Sequence, residues 1–176
     1  MIVLITGATH TGKTSLAQKL LEEKSWPYLS IDHLKMGLIR SKSTDLTVSD
    51  DDALTNLMWP IVREIIKTAI ENKQNLIIEG CYIPFDWKYD FDKEYLVAIK
   101  FICLCMSVDY IDCYFDIIKK HSSDIESRLD DTDCTKEKLI NDNLYYINGC
   151  KHNNLLYALI EANYQMSIES ILHNFL

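Results

Sequence analysis

Gly7-Ala8-Thr9-His10-Thr11-Gly12-Lys13-Thr14 is the stretch that decides the fold of this chain. It has the spacing G-x-x-x-x-G-K-[ST] of a P-loop, in which backbone N–H groups surround a phosphate chain. The apolar, β-branched run 2–5 before it predicts a buried strand. The run 15–21 after it contains good helix formers, with leucines on one face. A strand, a glycine-containing turn and a helix in this order predict a nucleotide-binding loop.

Two side chains of the loop have separate expected roles. Lys13 is placed to reach the outer phosphates of a nucleotide, and the Thr14 hydroxyl is placed to ligate Mg²⁺. ATP and Mg²⁺ are therefore the expected cofactors. The positive end of the following helix adds to the field that favours a polyphosphate. The candidate nucleotide-binding residues are Gly7, Ala8, Thr9, His10, Thr11, Gly12, Lys13, Thr14 and Ser15.

Composition narrows the class of protein. The 176 residues suggest one domain spanning 1–176, and a hydrophobic fraction of 48% is ordinary for a globular chain. A net charge of -8 argues against general nucleic-acid binding. No apolar run is long enough to cross a bilayer, and the N-terminus lacks the basic segment of a signal peptide. The six cysteines form no C-x-x-C pair. We expect a cytoplasmic protein with reduced thiols and no membrane partner.

Strand and helix signals alternate along the whole chain. Because helices must cover both faces of a parallel sheet, this alternation predicts an α/β fold with three α/β/α layers and five parallel strands. Asp32 is expected to cap the helix that starts at His33, and Pro60 is expected to kink or divide a helix over 51–72. The predicted strands are 2–5, 26–31, 75–80, 95–107 and 155–160; the other predicted helices are 33–41, 108–120, 136–153 and 167–176.

Two acids stand at the ends of predicted strands, where ligands of parallel sheets bind. Glu79 is the first candidate to hold hydrated Mg²⁺, with Asp32 as the alternative. Asp32 is the candidate to orient or deprotonate an acceptor. Lys35 and Arg40, on the helix after it, are candidates to bind an anionic or polar acceptor. Phosphoryl transfer also needs a cation over the transferring group, and the polar stretch 121–135 offers Arg128 beside Lys119 and Lys120.

Each of these assignments has a structural alternative. Asp32 is also explained as a helix cap, and Glu79 as a buried structural acid. Arg128 stands among acids and is also explained as a member of surface ion pairs. Lys35 and Arg40 are also explained as a solvated helix face. The aromatic residues of 82–91 are better explained by packing than by base stacking.

The order and spacing of these motifs resemble the adenylate-kinase-like family of P-loop nucleoside, nucleotide and small-metabolite kinases. Beyond the P-loop, the similar motifs are Ser30-Ile31-Asp32-His33-Leu34-Lys35 and Ile77-Ile78-Glu79-Gly80-Cys81-Tyr82-Ile83-Pro84. The first is similar to a segment ending in D-x-L-R, whose arginine grips an acceptor phosphate, and the second to D-G-F-P-R. The resemblance implies that 33–72 holds the acceptor, that 121–135 is a short lid, and that 161–164 borders the adenine.

The chain departs from the adenylate-kinase pattern at several positions. His10 replaces a glycine, Lys35 replaces the arginine, and no arginine follows Pro84. The segment 31–41 also resembles proteins of the 2-phosphoglycerate-kinase-like or zeta-toxin-like type. We therefore predict an Mg-ATP-dependent kinase for a small hydroxyl or nucleotide acceptor. An ATP-binding regulatory module and an NTP hydrolase without an acceptor are the alternatives.

Overall fold

The computed structural model describes residues 1–121 and 134–175. Five strands form one sheet: β1 Ile2–Gly7, β2 Tyr28–Ser30, β3 Leu76–Glu79, β4 Ile99–Met106 and β5 Tyr157–Ile160. Their order across the sheet is β2-β3-β1-β4-β5, and every neighbouring pair is parallel. The predicted five-stranded parallel sheet is confirmed. Its carboxyl edge carries the P-loop after β1 and Glu79 at the end of β3.

Seven α-helices and one 3₁₀ turn are described around this sheet. They are α1 Lys13–Lys24, α2 Ile31–Arg40, α3 Asp51–Glu71, the 3₁₀ turn Trp87–Asp90, α4 Lys93–Leu96, α5 Val108–Lys120, α6 Lys136–His152 and α7 Tyr164–Phe175.

The helices form two outer layers because β1 is buried on both faces. Ile2 and Leu4 point into a core shared with α2, α3 and α6, whereas Val3 and Ile5 point into a core shared with α1 and α7. Each fully buried aliphatic side chain of this kind contributes about 1.5–3 kcal/mol. This alternation confirms the predicted three-layer arrangement, and it fixes the position of the P-loop at the sheet centre.

Asp32 is not the N-cap that the sequence analysis expected. The helix starts two residues earlier than predicted, at Ile31, so that Ser30 is the cap residue and Asp32 lies in the first turn. The reason is packing: the Ile31 side chain is fully buried under β3, and a Cβ on Gly80 would lie only 2.9 Å from Ile31 Cβ. Asp32 is thereby held beside the end of β3.

Pro60 does not divide its helix, because α3 runs unbroken from Asp51 to Glu71. Pro60 is exposed, whereas its neighbour Trp59 is buried and donates to Asp90 Oδ2 at 2.7 Å. The buried face of the helix therefore outweighs the hydrogen bond that proline cannot make. The ends of other elements also differ from prediction: β2, β4 and β5 are shorter than predicted, and α7 begins earlier, at Tyr164.

The cysteines are free thiols, as the sequence analysis expected. Cys103 and Cys105 lie on the same face of β4 with their sulfur atoms 3.6 Å apart, inside the core with α6. Within the described residues, no helix has the length and apolar character needed to cross a bilayer. Arg128 and residues 122–133 of the predicted lid lie outside the described residues.

Candidate nucleotide and acceptor site

The P-loop joins the carboxyl end of β1 to the start of α1. Its shape depends on close backbone approaches at two glycines. A Cβ on Gly7 would lie 2.1 Å from the carbonyl oxygen of Leu104 in β4. Gly12 has a φ of +82°, and a Cβ there would lie 1.7 Å from the Tyr164 hydroxyl oxygen. Only glycine fits either position, so the loop backbone is held from both sides.

Lys13 lies over the loop and is almost buried, with 8% of its surface exposed. Its Nζ donates to the Ala8 carbonyl oxygen at 2.8 Å, and the Thr11 hydroxyl donates to the same oxygen at 2.8 Å. The ammonium is therefore positioned inside the loop, where a nucleotide phosphate oxygen is a stronger, charged acceptor than a carbonyl.

His10, inside the loop, and Tyr164, at the start of α7, are ring side chains that contact residues of the 7–15 segment. His10 has a left-handed φ of 64°, and its Nδ1 lies 3.0 Å from Thr9 Oγ1 and 3.8 Å from Cys134 Sγ. The Tyr164 hydroxyl, at the start of α7, hydrogen-bonds to the Ser15 side chain, while burial raises the pKa of Tyr164. The first residue of α7 thus contacts the residue that follows the P-loop motif, while the implied border of 161–164 with the adenine stays a prediction.

Thr14 and Glu79 meet directly below the loop. The Thr14 hydroxyl donates to Glu79 Oε2 at 3.3 Å, and Glu79 is 1% exposed. These are oxygen donors, which Mg²⁺ prefers, and Mg²⁺ at phosphate sites uses one or two protein oxygens besides substrate and water. No group of three potential metal-binding side chains occurs elsewhere in the described residues. The pair therefore fits a Mg²⁺ ion that arrives with a nucleotide.

Asp32 and Lys35 form part of a hydrogen-bonded chain of four side chains. Lys35 Nζ contacts Asp32 Oδ1 and donates to the Tyr82 hydroxyl at 2.9 Å. The Tyr82 hydroxyl in turn donates to Asp51 Oδ1 at 3.0 Å. Burial, followed by the Asp51 and Asp32 carboxylates, raises the pKa of Tyr82, so its hydroxyl remains a donor at neutral pH. We name this chain, Asp32–Lys35–Tyr82–Asp51, the acceptor-side chain.

Helix α6 packs over the loop that follows β3. Tyr146 donates to the Cys81 carbonyl oxygen at 2.8 Å, and buried Asn143 accepts from the Met106 N–H at 2.7 Å. Asp142, on the same helix, is half-buried. Its pKa is raised by burial, lowered by the charge of Lys138 and raised to a smaller degree by the charge of Asp51.

The structure brings together some predicted site residues and separates others. Glu79 lies at the P-loop, and Asp32 follows β2, whose Ser30 pairs with Glu79. Arg40 is exposed at the end of α2, about 12 Å along the helix from Asp32. Lys119 Nζ donates to the Cys134 carbonyl oxygen at 3.3 Å, and Lys120 is exposed.

Sequence reasoning missed Tyr82, Asp51 and Asp142. Tyr82 belongs to an aromatic-rich stretch that was explained by packing, and Asp51 opens a helix after an acidic run. No spacing rule connects either of them to Asp32, because the contact exists only after β3 and α3 pack beside α2. A tyrosine three residues after a strand-terminal acid was the one available signal.

Comparison with known proteins supports the fold. The sequence pattern of the isopentenyl transferase family matches residues 1–41. No curated protein sequence is detectably similar. A deoxyadenosine kinase from M. mycoides has a similar structure, with a TM-score of 0.61, 16% identity, and coverage of 98% of this chain and 97% of that chain.

Two sugar-directed kinases are also similar in structure. A gluconokinase from Sinorhizobium meliloti 1021 has a TM-score of 0.56 at 12% identity and covers 97% of this chain and 89% of its own. A sugar kinase from a Janibacter species has a TM-score of 0.54 at 15% identity, over 98% of this chain and 92% of its own. The chain therefore has the fold of P-loop small-molecule and nucleotide kinases.

Proposed function

We propose that this protein is an Mg-ATP-dependent kinase that transfers the γ-phosphoryl group of ATP to a hydroxyl of a small acceptor. The observation that carries the proposal is the pairing of Thr14 with buried Glu79 at 3.3 Å under a P-loop, with Asp32 at the end of the neighbouring strand. The similar structures are kinases of a deoxynucleoside and of sugars or a sugar acid, which supports a hydroxyl acceptor.

Each residue then has one task. Lys13 and the loop N–H groups bind the β- and γ-phosphates, and Thr14 with Glu79 holds the metal and its water shell. Mg²⁺ at this position supplies positive charge against the phosphates. Asp32 accepts the proton of the acceptor hydroxyl as the new O–P bond forms and the bond between the γ-phosphorus and its bridging oxygen breaks. Arg128, from the predicted lid, is proposed to stabilise the transferring phosphoryl group.

We also propose a cytoplasmic setting, with a small molecule as the only substrate besides ATP. The free cysteines support a reducing compartment, and the net charge of -8 opposes nucleic-acid binding.

The test is a coupled ADP-release assay with Mg-ATP over nucleosides, nucleotides, sugars, sugar acids and phosphoglycerates. Lys13→Ala is expected to lose at least about a thousandfold in turnover while retaining its melting temperature. Lys24→Ala, at the exposed end of the same helix, is the matched control. Phosphoryl transfer by Lys13→Ala at the wild-type rate would contradict the proposal.

The same assay separates the two alternatives. An NTP hydrolase releases phosphate without any acceptor, and Asp32→Asn hardly changes its rate. A regulatory module binds ATP, seen as a raised melting temperature, and phosphorylates nothing in the panel.

A further inference from the structure

The contacts of Lys35 bear on the charge of the acceptor. Lys35 was a candidate to bind an anionic or polar acceptor because it follows Asp32 by one helical turn. Its Nζ instead contacts Asp32 Oδ1 and donates to the Tyr82 hydroxyl at 2.9 Å. The same nitrogen lies 5.0 Å from the centre of the Tyr82 ring, and the Lys35 side chain is only 14% exposed.

The ammonium therefore already has two protein hydrogen-bond partners. It has three N–H donors, of which two point at Asp32 and Tyr82. The aromatic face of Tyr82 adds a further favourable contact with the cation. An acceptor phosphate or carboxylate would have to compete with Asp32 for this ammonium, and would release the Asp32 carboxylate that the reaction needs in place.

The surroundings of Lys35 are acidic rather than basic. The acceptor-side chain contains two carboxylates and one ammonium. Asp142 of α6 adds a carboxyl group whose pKa is raised by burial, lowered by the charge of Lys138 and raised to a smaller degree by the charge of Asp51. Lys138, one turn before Asp142, is exposed, and Arg40 is exposed at the far end of α2. Among the described residues, an anionic acceptor would meet more negative than positive charge, which costs affinity.

We infer that the acceptor is an uncharged hydroxyl compound whose hydroxyls donate to the accessible Asp32 and Asp51 carboxylates, and that Lys35 is a positioning residue that fixes Asp32 rather than an anion receptor. This inference rests on the proposed kinase function. The two carboxylates can accept hydrogen bonds from several hydroxyls at once, which suits a sugar, a polyol or a nucleoside.

Matched pairs of acceptors test the inference directly. Two pairs are a neutral amide and the matching carboxylate: gluconamide with gluconate, and glyceramide with glycerate. The third pair, deoxyadenosine with its 5′-monophosphate, differs by one phosphate group. The assays are ADP release at saturating Mg-ATP, and the shift in melting temperature with each compound in the presence of ADP. For the pair of acceptors that the enzyme phosphorylates most efficiently, we expect kcat/KM to be at least about tenfold higher for the neutral member than for the anionic one.

The outcomes separate this inference from the proposed function. Transfer to an anionic member with equal or higher kcat/KM overturns the inference and leaves the kinase standing. Absence of transfer to every compound counts against the kinase, and the melting shifts then decide the inference. A larger shift with neutral members supports it, while a larger shift with anionic members, or no shift with any, overturns it.

Variants at position 35 give the second readout. If Lys35 fixes Asp32, Lys35→Met lowers kcat by about tenfold or more with KM for the neutral acceptor changed less than about threefold, and Lys35→Arg recovers part of kcat. Tyr82→Phe, which removes the hydroxyl between Lys35 and Asp51, is expected to lower kcat by a smaller factor, with KM again changed little. A rise in acceptor KM at unchanged kcat would show that Lys35 binds the acceptor, and would overturn the positioning role. Lys24→Ala again serves as the control.

Discussion

The donor side and the acceptor side of the site are built in different ways. The donor side is one continuous segment, 7–15, whose shape comes from backbone angles and from close approaches to Leu104 and Tyr164. The acceptor-side chain draws on three separate segments: α2, the loop after β3, and the start of α3. Side chains hold it together, rather than backbone geometry.

This difference explains why the donor side could be predicted from the sequence and why the acceptor side can change its specificity by substitution. A phosphate chain is bound by N–H groups that every residue has, so the donor side tolerates His10 as a free position of the motif. An acceptor is recognised by particular side chains, and a single replacement there changes what is bound. Substitutions on the donor side should therefore abolish function, whereas those on the acceptor side should change which acceptor is bound.

Replacing glycine by alanine is expected to have the most different effects on the donor side and on the acceptor side. Gly12→Ala places a Cβ 1.7 Å from the Tyr164 hydroxyl oxygen at a left-handed φ of +82°. The backbone cost alone is roughly 1–2 kcal/mol, and we expect Gly12→Ala to lose detectable ATP binding by calorimetry. Gly37→Ala, in α2, has open space around the new Cβ and should raise the free energy of unfolding by up to about 1 kcal/mol.

Two results would contradict the expected difference between the two variants. One is wild-type ATP affinity in Gly12→Ala, which would show that the loop shape does not depend on glycine. The other is loss of ATP binding in Gly37→Ala. The double variant Gly12→Ala, Tyr164→Ala removes the side-chain overlap and keeps the backbone cost, so only partial recovery is expected.

A second, smaller effect is expected at the metal pair. Glu79→Gln keeps an oxygen that accepts from Thr14 but removes the negative charge that holds Mg²⁺. We expect kcat to fall by about a hundredfold and the Mg²⁺ concentration needed for half-maximal rate to rise. A titration of rate against Mg²⁺ measures both, with exposed Glu23→Gln as the control. An unchanged Mg²⁺ dependence would make Glu79 a structural acid.

The smallest expected effect is on the acceptor side, at Asp142. Burial raises the pKa of Asp142 above its unfolded value, so the folded protein holds this proton more tightly. The free energy of unfolding therefore falls as pH rises through that pKa. Asp142→Asn should be more stable than wild type at pH 7, by less than about 1 kcal/mol because solvent screens a half-buried group. The gain should vanish near pH 3.

Denaturant unfolding at several pH values measures this difference. Glu137→Gln, on an exposed turn of the same helix, should show no comparable pH dependence. A gain for Asp142→Asn that persists at pH 3 would contradict the assigned cause, since the carboxyl is protonated there in both states.

Much of the fold follows from the sequence because its signals are local. The P-loop spacing and the alternation of strands and helices predicted the parallel three-layer sheet, and Glu79 was placed at a strand end correctly. The start of α2 was wrong by two residues because burial of Ile31 under β3 overrides the capping preference of Asp32. The unbroken α3 has the same cause, since packing of Trp59 outweighs the hydrogen bond lost at Pro60.

The sequence by itself determined the donor side, since eight consecutive residues carry both the motif and the geometry that binds phosphate. Only the tertiary structure decided the acceptor side. Tyr82 and Asp51 are 31 residues apart, and Lys35 is 47 residues from Tyr82, yet hydrogen bonds join them. A contact between distant segments depends on how β3, α2 and α3 pack, and no local spacing encodes it. That packing makes Lys35, which was a candidate to bind an anionic or polar acceptor, a partner of Asp32 and Tyr82.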